Sequence, residues 1–157
     1  MKKTLFFSAL FFGVLGYATI SANAQSITVS GSIGKGTVSL SGTTRAVVVM
    51  NVPSGLHVNT SRPGSEYAIP TSVRITCTGC KAGQVSYPRG RSRKFAFSED
   101  SINVYEGRVS FTFPITVAAS VRGGVIRVRA VVRYQACTNE VCYPPTSKTV
   151  IMSARIL

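Results

Sequence analysis

The chain has little of what hydrolytic enzymes and catalytic metal sites require. Its 157 residues include one histidine, His57, and only five acidic residues. A Ser-His-Asp triad is not indicated, because a Gly-x-Ser-x-Gly elbow is also lacking, and one histidine cannot supply the His pair of a catalytic metal site. A glycosidase pair is not expected either, although Glu99 and Asp100 are adjacent. We therefore predict no cofactor and no metal, and we expect His57 to be a structural or partly exposed turn residue rather than an acid or base.

The shortage of acidic residues leaves a strongly basic chain. It carries 18 lysines and arginines and a formal net charge of +13, which favours anionic partners or surfaces. The basic residues are scattered and have few aromatic residues between them, so we do not expect nucleic acid as a partner. The alternation in Arg127-Val128-Arg129 is typical of the solvated face of a strand. Adhesion to anionic envelope polymers is an open alternative.

Helix-forming residues are sparse, and no segment repeats its apolar residues with a helical period. Short alternating or β-branched runs occur instead, separated by turn residues. The clearest runs are Arg45–Val52, Thr71–Thr76, Lys94–Phe97, Val109–Ala118 and Val125–Tyr134. Gly123-Gly124 predicts a hairpin between the last two. The pattern predicts an all-β fold, which we interpret as one immunoglobulin-like β-sandwich.

The N-terminal segment predicts export. Lys2 and Lys3 form a positive n-region, residues 5–15 form an apolar h-region, and Ala22-Asn23-Ala24 is a small-x-small cleavage site. We predict a signal peptide at residues 1–24, with an uncleaved anchor as the alternative, and one domain at residues 25–157. No later stretch reaches the roughly 20 apolar residues of a transmembrane helix. The sequence therefore predicts a soluble protein of a bacterial periplasm.

The most informative stretch runs from Tyr134 to Pro145 and reads YQACTNEVCYPP. Its flanks predict strand, tight polar turn and strand, with Cys137 and Cys142 on either side of the turn. Antiparallel neighbours bring Cβ atoms to about 4.5–5.5 Å, which suits a disulfide. A bond that closes so short a loop adds little stability. We therefore interpret this pair as a redox centre rather than a staple.

A second pair, Cys77 and Cys80, has the Cys-x-x-Cys spacing of redox and zinc sites. In thioredoxin-type sites this spacing opens a helix that lowers the thiol pKa, but here it follows a predicted strand and lies among glycines. A local disulfide formed in an oxidising compartment is one interpretation. A zinc site built from all four cysteines and an accessory redox role are the others. Of the three possible connectivities, the two local pairs fit best.

The cysteine hairpin resembles that of a known family. Tyr134–Cys137, Cys142–Pro145 and Lys148–Val150 are similar to the redox hairpin of the amino-terminal periplasmic domain of the thiol:disulfide interchange protein DsbD. Weaker similarity upstream, including Val104–Val109 and Pro114–Val117, extends the resemblance to about residues 56–150. It implies an immunoglobulin-like fold whose two hairpin cysteines cycle between dithiol and disulfide.

The resemblance also implies supporting residues around the disulfide. The family closes a cap loop over its disulfide with an aromatic side chain, and Phe97 is our candidate here, with Phe95 as the alternate. Core packing is the competing interpretation for both. Tyr134 and Tyr143 are expected to pack either around the sulfurs or within the core and the hairpin.

The chain departs from the family pattern in two places. His57 and Asn59 stand in the region where the family has tyrosines before its first turn, and the hairpin turn is one residue shorter than in the best-known member. These departures bear on partner choice and redox potential more than on fold.

The function that the resemblance implies is periplasmic thiol–disulfide exchange. Reducing equivalents would pass from a membrane thiol–disulfide electron donor to thioredoxin-like periplasmic proteins, which serve disulfide isomerisation or cytochrome c maturation. In the family the second cysteine forms the intermolecular bond, which corresponds to Cys142 here. The alternative is a non-enzymatic exported β-sandwich, a binding or structural module whose disulfides only hold loops.

Overall fold

The computed structural model describes residues 26–157, and the predicted signal peptide lies outside this range. Within it the chain forms strands, turns and bends without any helix, so the all-β prediction is confirmed. The strands are β1 (Thr28–Ile33), β2 (Thr37–Val38), β3 (Thr43–Val52), β4 (His57–Asn59), β5 (Ser72–Thr78), β6 (Cys80–Ala82), β7 (Arg91–Arg93), β8 (Ile102–Tyr105), β9 (Gly107–Val117), β10 (Val125–Tyr134), β11 (Ala136–Cys137) and β12 (Thr146–Ile156).

The fold is an immunoglobulin-like sandwich with two main sheets. The first sheet has the strand order β1-β3-β9-β6, and the second has the order β2-β12-β10-β5. Their neighbouring strands are antiparallel, except for the short parallel pair of β12 and β2. No helix within residues 26–157 is long and apolar enough to span a bilayer.

The period of two along the central strands explains the core. Successive side chains of a strand point to opposite faces. In β10 the even-numbered residues from 126 to 134 are buried, whereas Arg127, Arg129 and Arg133 are exposed. In β9 the odd-numbered residues from 109 to 117 are buried. The apolar faces of β9 and β10 therefore meet in the core, and the alternating arginines lie on the solvated face, as the sequence predicted.

A third, smaller sheet at one end of the sandwich, with the order β11-β4-β8-β7, carries the cysteine hairpin. The β4–β8 pair continues the β3–β9 ladder past a turn, since Val52 pairs with Gly107 and Val58 pairs with Tyr105. Strand β11 follows β10 of the second sheet, yet it pairs with β4. Between β10 and β11 the chain therefore crosses from the second main sheet to the strands that continue the first. This crossing fixes where the hairpin begins.

Two sequence-based assignments are wrong. Gly123-Gly124 does not close a hairpin between β9 and β10, because β9 pairs with β3 and β6 whereas β10 pairs with β12 and β5. Both glycines have positive φ values, 62° and 88°, and they belong to a connection between the sheets. The segment Lys94–Phe97 is not a strand: the strand is β7, immediately before it, and residues 96 and 97 form a turn.

Candidate functional site

Cys137 and Cys142 form a disulfide across a tight hairpin, with their Cα atoms 4.0 Å apart. The two residues also form an isolated antiparallel bridge. The backbone closes the turn independently of the sulfurs, because the Thr138 amide donates to the Val141 carbonyl at 2.8 Å and the Tyr143 amide donates to the Ala136 carbonyl at 2.9 Å.

The side chain of Thr138 supports the turn as well. Its hydroxyl oxygen accepts hydrogen bonds from the amides of Glu140 and Val141, both at 3.1 Å. The same hydroxyl donates to the Glu140 carboxylate at 3.0 Å. Such hydroxyl-to-backbone bonds stabilise turns. The turn is therefore shaped by Thr138 rather than by a glycine.

The two cysteines differ sharply in exposure. Cys137 is 0% exposed and pairs with His57 of β4, whereas Cys142 is an exposed residue on the returning side of the hairpin. Thiol–disulfide exchange depends on which sulfur an incoming thiol can reach. An incoming thiol can therefore reach Cys142 but not Cys137.

Cys142 lines a surface cleft of about 790 Å³. The loop at residues 64–68 and the loop at residues 97–100 form its walls, and Phe97 lies among the lining residues. Three carboxylates also line the cleft, those of Glu66, Glu99 and Asp100. The cleft beside the exposed cysteine is therefore acidic, although the whole chain is strongly basic.

An aromatic stack connects the cleft to the buried cysteine. The rings of His57 and Phe95 are stacked with centroids 4.1 Å apart, and those of Phe95 and Phe97 are stacked with centroids 5.2 Å apart. Phe95 is 7% exposed and packs with Ile102 and Val104, whereas Phe97 is 40% exposed. Phe97 thus occupies the outer position and Phe95 supports it from below.

The two tyrosines lie in different environments. Tyr134 is 3% exposed and belongs to the main core, where burial raises the pKa of its hydroxyl. Tyr143 is 48% exposed, next to Cys142. Core packing thus accounts for Tyr134, while Tyr143 stays at the hairpin surface.

A pair of side-chain amides ties the returning strand of the hairpin to β4. The buried Asn59 side chain donates to Gln135 Oε1 and to the Ile69 carbonyl, both at 3.1 Å. Gln135 Oε1 also accepts from the Ile69 amide at 3.3 Å, and Gln135 Nε2 donates to the Tyr143 carbonyl at 3.2 Å. The network positions the segment next to Cys142. Sequence reasoning missed it, because Asn59 and Gln135 are 76 residues apart.

His57 and its charged neighbours complete the site. Burial lowers the pKa of His57, the Glu106 carboxylate raises this pKa in part, and Arg93 lowers it further. Arg93 donates to both Glu106 oxygens, at 3.0 and 2.8 Å, and this contact lowers the pKa of the carboxyl. The sequence predicted a structural or partly exposed turn residue at this position. His57 is 3% exposed and lies on β4, so a structural residue fits the observation and a partly exposed turn residue does not. Sequence reasoning did not place His57 on the short strand β4, opposite Cys137.

Cys77 and Cys80 form the second disulfide, away from the hairpin. They join the end of β5, in the second sheet, to the start of β6, in the first. Cys77 pairs with Val128, near the beginning of β10, whereas the hairpin follows the end of β10. The two-residue link contains Gly79 with a φ of 77°, a value that favours glycine. The four cysteines are thus in two separate pairs and do not assemble one zinc site.

An immunoglobulin-like sandwich with a disulfide hairpin at one end defines the class of this domain. The chain belongs to the family described as thiol:disulfide interchange protein DsbD, N-terminal, which matches residues 33–154. The resemblance drawn from the hairpin is thereby confirmed, and the family is one of thiol–disulfide exchange domains. A search of curated protein sequences finds no significant match.

Two solved structures illustrate the relationship. The chain is similar to the reduced N-terminal domain of DsbD from Neisseria meningitidis, with 19% identity over 82% of this chain and 85% of that one and a TM-score of 0.46. It is also similar to the N-terminal periplasmic domain of ScsB from Proteus mirabilis, with 15% identity over 80% of this chain, 43% of that chain and a TM-score of 0.53. The second comparison shows a shared fold.

Proposed function

We propose that the protein carries reducing equivalents through the Cys137–Cys142 pair, between a membrane thiol–disulfide electron donor and thioredoxin-like proteins of the periplasm. The observation that carries this proposal is the unequal exposure of the two cysteines on a hairpin that is held by its own hydrogen bonds. Such a hairpin can open and close its disulfide without refolding. Family membership supports the same chemistry.

The exchange proceeds in two thiolate attacks. In the oxidised protein, a donor thiolate attacks Cys142 Sγ, so that Cys137 leaves as a thiolate, and a second donor thiol then releases the dithiol protein. In the reduced protein, the Cys142 thiolate attacks a disulfide of the acceptor and forms a mixed disulfide. Cys137 then attacks Cys142 Sγ and releases the acceptor as a dithiol. Each cycle transfers two electrons.

The compartment and the physiological pathway belong to the same proposal. The segment at residues 1–24 has the pattern of a signal peptide, and periplasmic export would bring the protein to thioredoxin-like partners. Disulfide isomerisation and cytochrome c maturation are the processes that such partners serve in the family. Cys77 and Cys80 are assigned a structural role, because they link β5 of one main sheet to β6 of the other and both are half-buried.

A redox titration with mass-spectrometric mapping of the cysteines tests the function. We expect Cys137 and Cys142 to change state together at a potential above about −300 mV, because structural disulfides of secreted proteins are usually reduced only below that value. Cys77 and Cys80 serve as the internal comparison and should stay oxidised over the same range. A hairpin disulfide that resists reduction as strongly as the second pair would instead favour the structural sandwich.

The proposed role of Phe97 as a cap gives a second prediction. Its stacking on Phe95 is worth about 0.5–1.5 kcal/mol, so Phe97→Ala should raise the rate at which glutathione reduces the hairpin disulfide by about two- to tenfold. Stopped-flow measurement of thiol consumption reports this rate. Leu40→Ala, which removes a similarly exposed apolar side chain outside the cleft, should leave it unchanged. Equal rates for Phe97→Ala and the unmodified protein would show that Phe97 does not limit access.

A further inference from the structure

His57 contains an unusual buried atom. Its Nε2 is buried and has no hydrogen-bond partner. Within residues 26–157 it is the only buried side-chain nitrogen or oxygen that lacks one. Buried polar atoms are nearly always hydrogen-bonded, so an exception calls for an explanation. Packing alone does not require a nitrogen there, since a phenyl ring would stack on Phe95 equally well.

The residue that pairs with His57 is Cys137, the buried cysteine of the hairpin. His57 and Cys137 are directly paired in the β4–β11 ladder, and the Cβ atoms of such pairs lie about 4.5–5.5 Å apart on the same face. Cys137 is 0% exposed, so water cannot easily remove a proton from its thiol. When Cys137 resolves a mixed disulfide it must nevertheless lose that proton, because the thiolate is the nucleophile.

We propose that His57 is the proton acceptor for Cys137, a role that rests on the proposed thiol–disulfide exchange. In the mixed disulfide, the imidazole of His57 takes the proton of the Cys137 thiol. The Cys137 thiolate attacks Cys142 Sγ, the bond between Cys142 and the partner breaks, and the electron pair leaves with the partner thiolate. The partner thiolate then takes up a proton from solvent, and His57 returns its own proton to solvent. One proton and one electron pair are thereby passed on, and no further reactant is needed.

The surroundings of His57 suit a base that is neutral at pH 7. Burial, the largest effect, lowers its pKa below the ordinary value of 6.5. The charged groups that face it are Glu106, after β8, which raises the pKa, and Arg93 of β7, which lowers it. The titratable group on β11 is Cys137 itself. A neutral imidazole accepts a proton, whereas below its pKa the imidazolium does not, so the resolving step should slow as the pH falls through a value below 6.5.

The reaction of the reduced protein with Ellman's reagent separates the two thiol steps. The first thionitrobenzoate is released when Cys142 forms the mixed disulfide, and the second is released when Cys137 resolves it. In His57→Phe, which keeps an aromatic ring on Phe95, we expect an unchanged first phase and a second phase about 10²-fold slower at pH 7, as for loss of a general base. The inflection below pH 6.5 should also disappear. The control Phe95→Leu removes the stacked ring and keeps the imidazole, and it should retain that inflection.

The possible outcomes separate this inference from the proposed function. If His57→Phe and His57→Gln both resolve the mixed disulfide at the rate and with the pH profile of the unmodified protein, His57 is not the proton acceptor. If the first phase does not involve Cys142, the proposed exchange itself is wrong. If neither variant folds, the pH dependence of the unmodified protein is the test. A second phase whose rate shows no inflection below pH 6.5 would overturn the role of His57.

Discussion

In the Cys137→Ser variant, the reduced protein should accumulate a covalent complex with a thioredoxin-like protein whose active-site disulfide is oxidised. Cys142 is exposed beside the cleft, so it can attack that disulfide, but without Cys137 this protein has no thiol placed to complete the exchange. In Cys142→Ser the remaining thiol of the pair is 0% exposed, and complex formation should fall to background. Non-reducing electrophoresis detects the complex, and mass spectrometry identifies the linked cysteine.

The second disulfide provides the matched control. A variant with both Cys77→Ser and Cys80→Ser, combined with Cys137→Ser, should form the same complex through Cys142. Cys77 pairs with Val128 near the beginning of β10, whereas the hairpin follows the end of that strand. A complex that forms through Cys137 in the Cys142→Ser variant would reverse the assignment of the two sulfurs. No complex with any thioredoxin-like protein would contradict the proposed function.

The fold class was predictable because the central strands carry a clear period of two. The alternation of valine and arginine in β10 and of apolar and polar residues in β9 follows from one face being buried and the other solvated. The pairing of these strands was not predictable. The glycine pair before β10 has the residues of a hairpin turn, but the same residues suit a connection between sheets, and only long-range packing decides between the two.

The candidate site was predictable only in part. The spacing of Cys137 and Cys142 and their polar turn indicated the hairpin, since this geometry is local in sequence. The opposite strand, which brings His57 next to Cys137, is 80 residues earlier in the chain, and His57 itself looked like a turn residue. The amides of Asn59 and Gln135 are similarly distant. Residues that come together only through a sheet crossing leave no local pattern.

The net charge of the chain is a poor guide to the surface that a partner would meet at Cys142. Three of the five acidic residues line the cleft, and Glu140 lies in the hairpin turn. Glu106 follows β8 of the same small sheet. Exposed arginines such as Arg127 and Arg129 lie instead on the outer face of β10. Attraction of anions by the whole chain and docking at the hairpin would therefore respond differently to substitutions of charge.

Phe111→Ala should strongly destabilise the fold, because this ring is among the largest fully buried side chains of the core. Phe111 is 0% exposed on β9 and makes edge-to-face contacts with Tyr87 and Tyr105, with ring centroids 5.6 and 5.8 Å apart. Removal of a buried phenyl ring leaves a cavity and costs about 3–5 kcal/mol of unfolding free energy. Guanidinium chloride denaturation should show a lower midpoint with little change in slope.

The exposed Phe97 allows the same substitution outside the core. Phe97→Ala should lower the free energy of unfolding by the lost stacking on Phe95 and by no more than about 0.5 kcal/mol in addition, because removal of an exposed side chain leaves no cavity. The folded fraction of Phe111→Ala should still react at Cys142 at the normal rate, because the hairpin is closed by its own backbone bonds. Equal losses of stability for the two variants would mean that the core does not lie between β9 and β10. A reduced rate at Cys142 in folded Phe111→Ala would instead show that the sandwich core controls the reactivity of the hairpin.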